Sequence, residues 1–169
     1  MERKNIVIGG DHIVTANKVR LRDALIAQGH NVVDVGTYDG TRTHFPIYGK
    51  RVAEEVVNNN YDFGIVVCGT GVGITNSAQK IKGARVALVR DLQSAKTARE
   101  QFDANIIGFG GQITGFGIML EAVDIFSKTK FNGDPKLVEL LDSIIPSNAN
   151  KNKDFSEEQD KWDQGLYHD

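Results

Sequence analysis

The residues best suited to chemistry lie together near the middle of the chain, at Cys68-Gly69-Thr70-Gly71-Val72-Gly73-Ile74. Cys68 is the only cysteine, and three glycines fall in the five residues after it. Such a turn lets peptide N–H groups approach a ligand, and a helix starting there adds partial positive charge. A thiol in that field is favoured as thiolate, the form that acts as base or nucleophile. The competing reading is a small core cysteine at a strand end, because a G-x-G motif alone is weak.

Several elements must position that turn. The apolar run 63–67 predicts a buried strand that stops at Cys68. Further short apolar runs at 5–9, 31–36, 84–89 and 105–109 predict four more strands. Helical spacing falls between them. At 16–28, Val19, Ala24, Leu25 and Ile26 can share a face before Gly29 ends the helix. Helices are also expected at 47–59, opened by Pro46, and at 74–82, 93–103 and 113–128. This alternation predicts a parallel sheet with helices on both faces. Such sheets bind ligands beyond the carboxyl ends of their strands. Asp11-His12, the polar loop 37–45, the Cys68–Gly73 turn and Arg90-Asp91 all fall there, so four segments can converge on one crevice. The first turn, Gly9-Gly10-Asp11-His12, is not the Gly-x-Gly-x-x-Gly of a dinucleotide-binding domain.

With 169 residues, the chain has room for one ordinary domain. A net charge of −2 gives no drive toward nucleic acid or a membrane surface. No stretch reaches the roughly 18 apolar residues of a membrane span. A lone cysteine forms no internal disulfide, and the N-terminus runs directly into a strand. The expected location is the cytoplasm. After Phe131 the character changes. One more helix is expected at 134–145, then a polar linker at 147–155. The tail 157–169 carries the only tryptophan, Trp162, with Leu166 and Tyr167. It is expected to pack either on its own domain or across a partner.

Taken together, Gly10-Asp11-His12, Val33-Asp34-Val35-Gly36-Thr37, Arg42-Thr43-His44-Phe45-Pro46, the Cys68–Ile74 turn and Asn105–Gly110 resemble the ribose-5-phosphate isomerase B / galactose-6-phosphate isomerase family of sugar-phosphate isomerases. The resemblance implies a single-domain, three-layer Rossmann-like α/β fold with a five-stranded parallel sheet. It places the isomerase domain at 1–131 and leaves 132–169 as a C-terminal helix and tail against a partner subunit. It implies active sites at subunit interfaces and no cofactor or metal. By the same resemblance, Cys68 is the base that moves a proton between adjacent sugar carbons through a cis-enediolate. Thr70 passes a hydroxyl proton, and Gly69, Gly71, Val72 and Gly73 present N–H groups to the developing oxyanion. Asp11 and His12 contact sugar and phosphate and assist ring opening; as residues alone they read equally well as a capping pair.

The departures are informative. The family's ribose isomerases carry a His-Asn pair where this chain has Gln101-Phe102 and an Arg where it has Gln112. They also carry arginines where this chain reads Asn132-Gly133-Asp134-Pro135-Lys136-Leu137-Val138. A sugar phosphate needs cationic partners. Thr-His in the second loop, Arg99-Glu100-Gln101 and the tail ending Tyr167-His168-Asp169 resemble the B-type side of the galactose-6-phosphate isomerase branch. That branch pairs a B-type chain with a homologous A-type subunit, which would supply the missing His, Asn and Arg to a shared site. Arg42, His44 and Asn76 are secondary candidates for substrate contact, and Gln101, with Phe102, is a secondary candidate for lining a second interface crevice that no longer works.

Overall fold

Each apolar run becomes a parallel strand because the segment after it must recross the sheet before the next run begins. A computed structural model describes residues 2–144 together with Asp160, Lys161 and Gln164. The strands are β1 (Asn5–Gly10), β2 (Asn31–Asp34), β3 (Phe63–Cys68), β4 (Val86–Leu88) and β5 (Ile106–Gly110). The helices are α1 (Thr15–Ala27), α2 (Phe45–Asn58), α3 (Val72–Ala78), α4 (Leu92–Phe102), α5 (Phe116–Lys128) and α6 (Pro135–Ser143). A 3-10 turn, His12–Val14, joins β1 to α1. The strand order is β2-β1-β3-β5-β4, with every neighbour parallel. The expected α/β fold with its five-stranded parallel sheet is therefore present. The expected linker and nearly all of the expected tail, Trp162 and Tyr167 included, lie outside the described residues.

Alternation along the central strand builds the two layers. Phe63, Ile65 and Val67 of β3 face α1, α4 and α5, together with Leu21, Leu25, Met119, Val123 and Phe126. Val66 and Cys68 face the other way, toward α2 and α3 with Ile47, Tyr48, Val52 and Ile74. Phe63 and Phe126 meet edge to face, with ring centroids 5.3 Å apart. Gly64 is required here because a Cβ would come within 2.7 Å of Val52 and 2.8 Å of Val56.

Three expectations are corrected. The buried face of α1 is Lys18, Leu21 and Leu25, while Ile26 is 48% exposed and Val19 only half-buried. A lysine at the core position masks the apolar period. Helix α3 starts two residues earlier than expected, because Gly71 takes a left-handed conformation (φ +81°) and caps it. It also ends earlier, at Ala78. There Gln79 leaves the helix to serve β4, its amide donating to the Ala84 carbonyl and its oxygen accepting the Val86 N–H. Helix α5 begins at Phe116 and not at 113, because Ile113 and Thr114 fold back to bond the Gly110 carbonyl.

Candidate active site

The register brings three strand ends level. Gly10 of β1 pairs with Val67, and Cys68 pairs with Gly110 of β5. The loops that follow touch backbone to backbone. The Gly111 N–H donates to the Cys68 carbonyl at 2.8 Å, and the Gln112 N–H donates to the Gly69 carbonyl at 3.1 Å. A Cβ on Gly110 would meet the Thr70 carbonyl at 2.6 Å, and one on Gly10 would meet the Val67 carbonyl at 2.7 Å. On the other side, a Cβ on Gly73 would strike the Phe45 ring at 2.7 Å. The start of α3 is thus pressed against the start of α2.

Cys68 is the last residue of β3 and only 5% exposed, its side chain counted in the α2–α3 layer. The turn after it runs Gly69, Thr70, Gly71, with Gly69 half-buried and Thr70 exposed. Thr70 Oγ1 accepts a long 3.4 Å bond from the Val72 N–H. No side chain caps α3, because its capping residue is Gly71. The first N–H groups of a helix have no partner within it. Val72 is 43% exposed at this edge.

Asp11 and His12 arrive at the same edge from β1. Asp11 is 3% exposed and accepts the Ile13 N–H at 3.2 Å, so it does cap the 3-10 turn. Burial pushes its carboxyl above the usual range, and the nearby imidazoles of His12 and His44 pull the other way. His12 is half-buried, and its Nδ1 accepts the Thr43 N–H at 3.2 Å. An accepting Nδ1 puts the ring proton of neutral His12 on Nε2. His44 precedes α2, half-buried; burial lowers its pKa, assisted by Arg42 and His12, with Asp11 opposing. Arg42 is exposed. Asp11, His12, Arg42 and His44 are therefore electrostatic neighbours at the carboxyl edge, beside the Cys68–Gly73 turn.

Two secondary candidates fall elsewhere. Asn76 is exposed one turn along α3. Gln101 is exposed at the carboxyl end of α4, which is the amino-terminal end of the sheet. Within one chain it stands at the opposite end of the molecule from Cys68, because each helix carries the chain back across the sheet. A cavity of about 750 Å³ also lies at that far end, lined among others by Arg85, Val86, Phe102 and Leu141. It includes none of the residues around Cys68. Lys18, Asp34, Thr43 and Tyr48, whose contacts hold the second loop, are not among the candidate site residues expected from the sequence. A carboxylate inside the apolar run Val32-Val33-Asp34-Val35 was the available signal.

No helix among the described residues is long and apolar enough to cross a membrane. The fold, with Asp11, His12, Arg42 and His44 at its carboxyl edge, is that of a Rossmann-like α/β protein. A family model described as Ribose/Galactose Isomerase matches residues 6–142, and the chain belongs to that family. It is 44% identical over 168 residues to galactose-6-phosphate isomerase subunit LacB of Clostridium acetobutylicum, covering 96% of this chain and 97% of that one. It is 34% identical over 130 residues to ribose-5-phosphate isomerase B of Escherichia coli, covering 77% and 87%. Among solved structures, ribose-5-phosphate isomerase B of Clostridium thermocellum superimposes with a TM-score of 0.79 at 36% identity, over 82% of this chain and 95% of that one. The Thermotoga maritima ribose 5-phosphate isomerase gives 0.82 at 32%, over 85% and 100%.

Proposed function

We propose that this chain is the B-type subunit of a heteromeric galactose-6-phosphate isomerase. It would interconvert D-galactose 6-phosphate and D-tagatose 6-phosphate in lactose and galactose breakdown, the tagatose 6-phosphate route. The observation that carries this reading is the 44% match to the LacB subunit, which spans nearly the whole of both chains.

The site fits an aldose–ketose isomerisation in outline. Ionised Cys68 takes the proton from C2 of the open-chain aldose, leaving a cis-enediolate. The N–H groups of the 69–73 turn stabilise the negative oxygen. The proton returns to C1, and the hydroxyl proton moves from O2 to O1 by way of Thr70. Atoms and charge balance without an outside reactant. Asp11 and His12 hold the sugar and its phosphate. Cys68 is 5% exposed at the end of β3, so substrate must reach it at the carboxyl edge of the sheet. A second chain, a homologous A-type subunit, contributes His, Asn and Arg residues. Gln101, remote from its own Cys68, would then face the partner's half of an interface.

Co-expression with an A-type subunit tests this. The purified chain alone should turn over sugar 6-phosphates negligibly, and the assembled pair should be active on galactose 6-phosphate. Full activity from the isolated chain would refute the heteromeric reading. The second reading is a homomeric ribose-5-phosphate or allose-6-phosphate isomerase, favoured by the ribose-type relatives at 34–36% identity. It predicts turnover of those substrates by this chain alone. A non-catalytic sugar-phosphate-binding subunit would bind ligand in the complex while Cys68→Ala left turnover unchanged.

A further inference from the structure

Lys18 heads the fully buried side chains by size, with no exposure at all, yet it carries an ammonium group. It projects from α1 to the end of β2. Its Nζ bonds Asp34 Oδ1 and donates to the Thr37 carbonyl at 2.8 Å. Asp34 Oδ1 also accepts the Gly36 N–H at 2.9 Å, and Oδ2 accepts from Arg22 at 3.1 Å. The backbone so clamped lies directly against β1. The Gly10 N–H donates to the Gly36 carbonyl at 2.8 Å, and the Thr37 N–H donates to the Gly10 carbonyl at 2.7 Å. The next residues of β1's loop are Asp11 and His12. Farther along the second loop, the Asp39 carbonyl accepts the Thr15 hydroxyl at 2.8 Å, and the Thr43 N–H reaches His12 Nδ1 at 3.2 Å.

A stabilising role alone does not account for a lysine here. Replacing a buried ion pair by apolar residues of similar volume is often neutral or favourable, because desolvation offsets the attraction. What an ammonium supplies is several donors from one point, which here serve a carboxylate and a main-chain carbonyl together. We propose that Lys18 is a positioning residue for the sugar-phosphate site. Through Asp34 and the Thr37 carbonyl it sets the course of residues 37–44, so that the Thr43 amide holds His12 in the tautomer that offers Nε2–H to the substrate. This rests on the reading above in which His12 contacts the substrate.

The test uses the complex with the A-type subunit, this chain carrying ¹⁵N-labelled histidine. In the unaltered protein His12 should show an unprotonated Nδ1 and a protonated Nε2. The double variant Lys18→Met/Asp34→Asn removes both charges, so no carboxylate is left buried and alone. It should keep a melting temperature close to the parent, show mixed His12 tautomers, and raise KM for sugar phosphate roughly ten- to a hundredfold with a smaller change in kcat. A double variant with parental KM and an unaltered His12 signal overturns the proposal. So does a proton on Nδ1 of His12 in the parent, a result that needs no variant. Cys68→Ala in the same complex separates the two levels. If it retains turnover, the isomerase mechanism fails while the tautomer measurement still decides the role of Lys18. If it loses turnover and the double variant does not differ from the parent, only the role of Lys18 fails.

Discussion

Gly71→Ala is the sharpest test of how the Cys68 turn is built. Gly71 has φ +81°, a conformation that costs a residue with a Cβ about 1–2 kcal/mol. The added Cβ would lie 2.5 Å from a Leu88 methyl, 2.7 Å from the Phe109 carbonyl carbon and 2.8 Å from the Gly110 nitrogen. The leucine can turn aside, but the two backbone atoms belong to β5 and cannot. Overpacking of this kind adds roughly 1–3 kcal/mol. The expected loss is therefore about 2–5 kcal/mol, and at roughly 2–4 °C per kcal/mol for a domain this size the melting temperature should fall by about 4–20 °C. Gly117→Ala is the control. Gly117 sits in the first turn of α5 with nothing within 4 Å of an added Cβ and a negative φ. It should hold or raise stability by up to about 0.5 kcal/mol. Circular dichroism melts and denaturant titrations of the two variants read the difference. A Gly71→Ala protein that melts within a degree or two of the parent would refute the described turn, and with it the presentation of N–H groups around Cys68.

Other consequences follow from particular contacts. Burial holds the His30 and His44 imidazoles below their ordinary value of 6.5. The unfolded chain thus takes up protons first as the pH drops, so this contribution to stability is intact above about pH 6.5 and lost as the pH falls through the folded values. Buried Asp11, shifted upward from 3.8, works in the opposite sense at lower pH, because the folded carboxyl protonates first. Melting temperature against pH should therefore decline on the acid side, and His30→Asn should flatten that decline while keeping an acceptor for the Lys4 N–H, which His30 Nδ1 accepts at 3.2 Å. Asp91 caps α4 by accepting the Ser94 N–H at 2.7 Å, so Asp91→Ala should cost about 1 kcal/mol in a denaturant titration. Helix α6 buries none of its residues, and Leu140 is 63% exposed. If this segment packs on a partner, Leu140→Glu should leave the melting temperature of the separate chain unchanged and weaken assembly measured by sedimentation.

The sheet was legible because its strands are short, apolar and separated by helical spacing, so all five fall within two residues of their predicted ends. The edge on which the site stands follows from parallel topology alone, which is why Asp11, His12 and Cys68 could be placed together from the sequence. The buried face of α1 was not legible. Lys18 occupies a core position there, and a hydropathy pattern assigns every lysine to solvent. Its partner is 16 residues away in sequence on another element, a pairing that local spacing does not encode. The start of α3 was missed for a different reason: Gly71 acts as a cap by backbone conformation, with no side chain to announce it. Gln101 was expected by resemblance at a second, interface crevice, and the direction of α4 carries it to the end of the sheet away from its own Cys68.

In the proposed mechanism the Cys68 sulfur is the base. The direct measurement is exchange of the substrate's C2 hydrogen with solvent deuterium, followed by NMR in the assembled complex with and without Cys68→Ala. The substitution should slow both exchange and isomerisation by at least about a hundredfold, with sugar phosphate still bound. Exchange at the parental rate in the Cys68→Ala complex would contradict this role for Cys68.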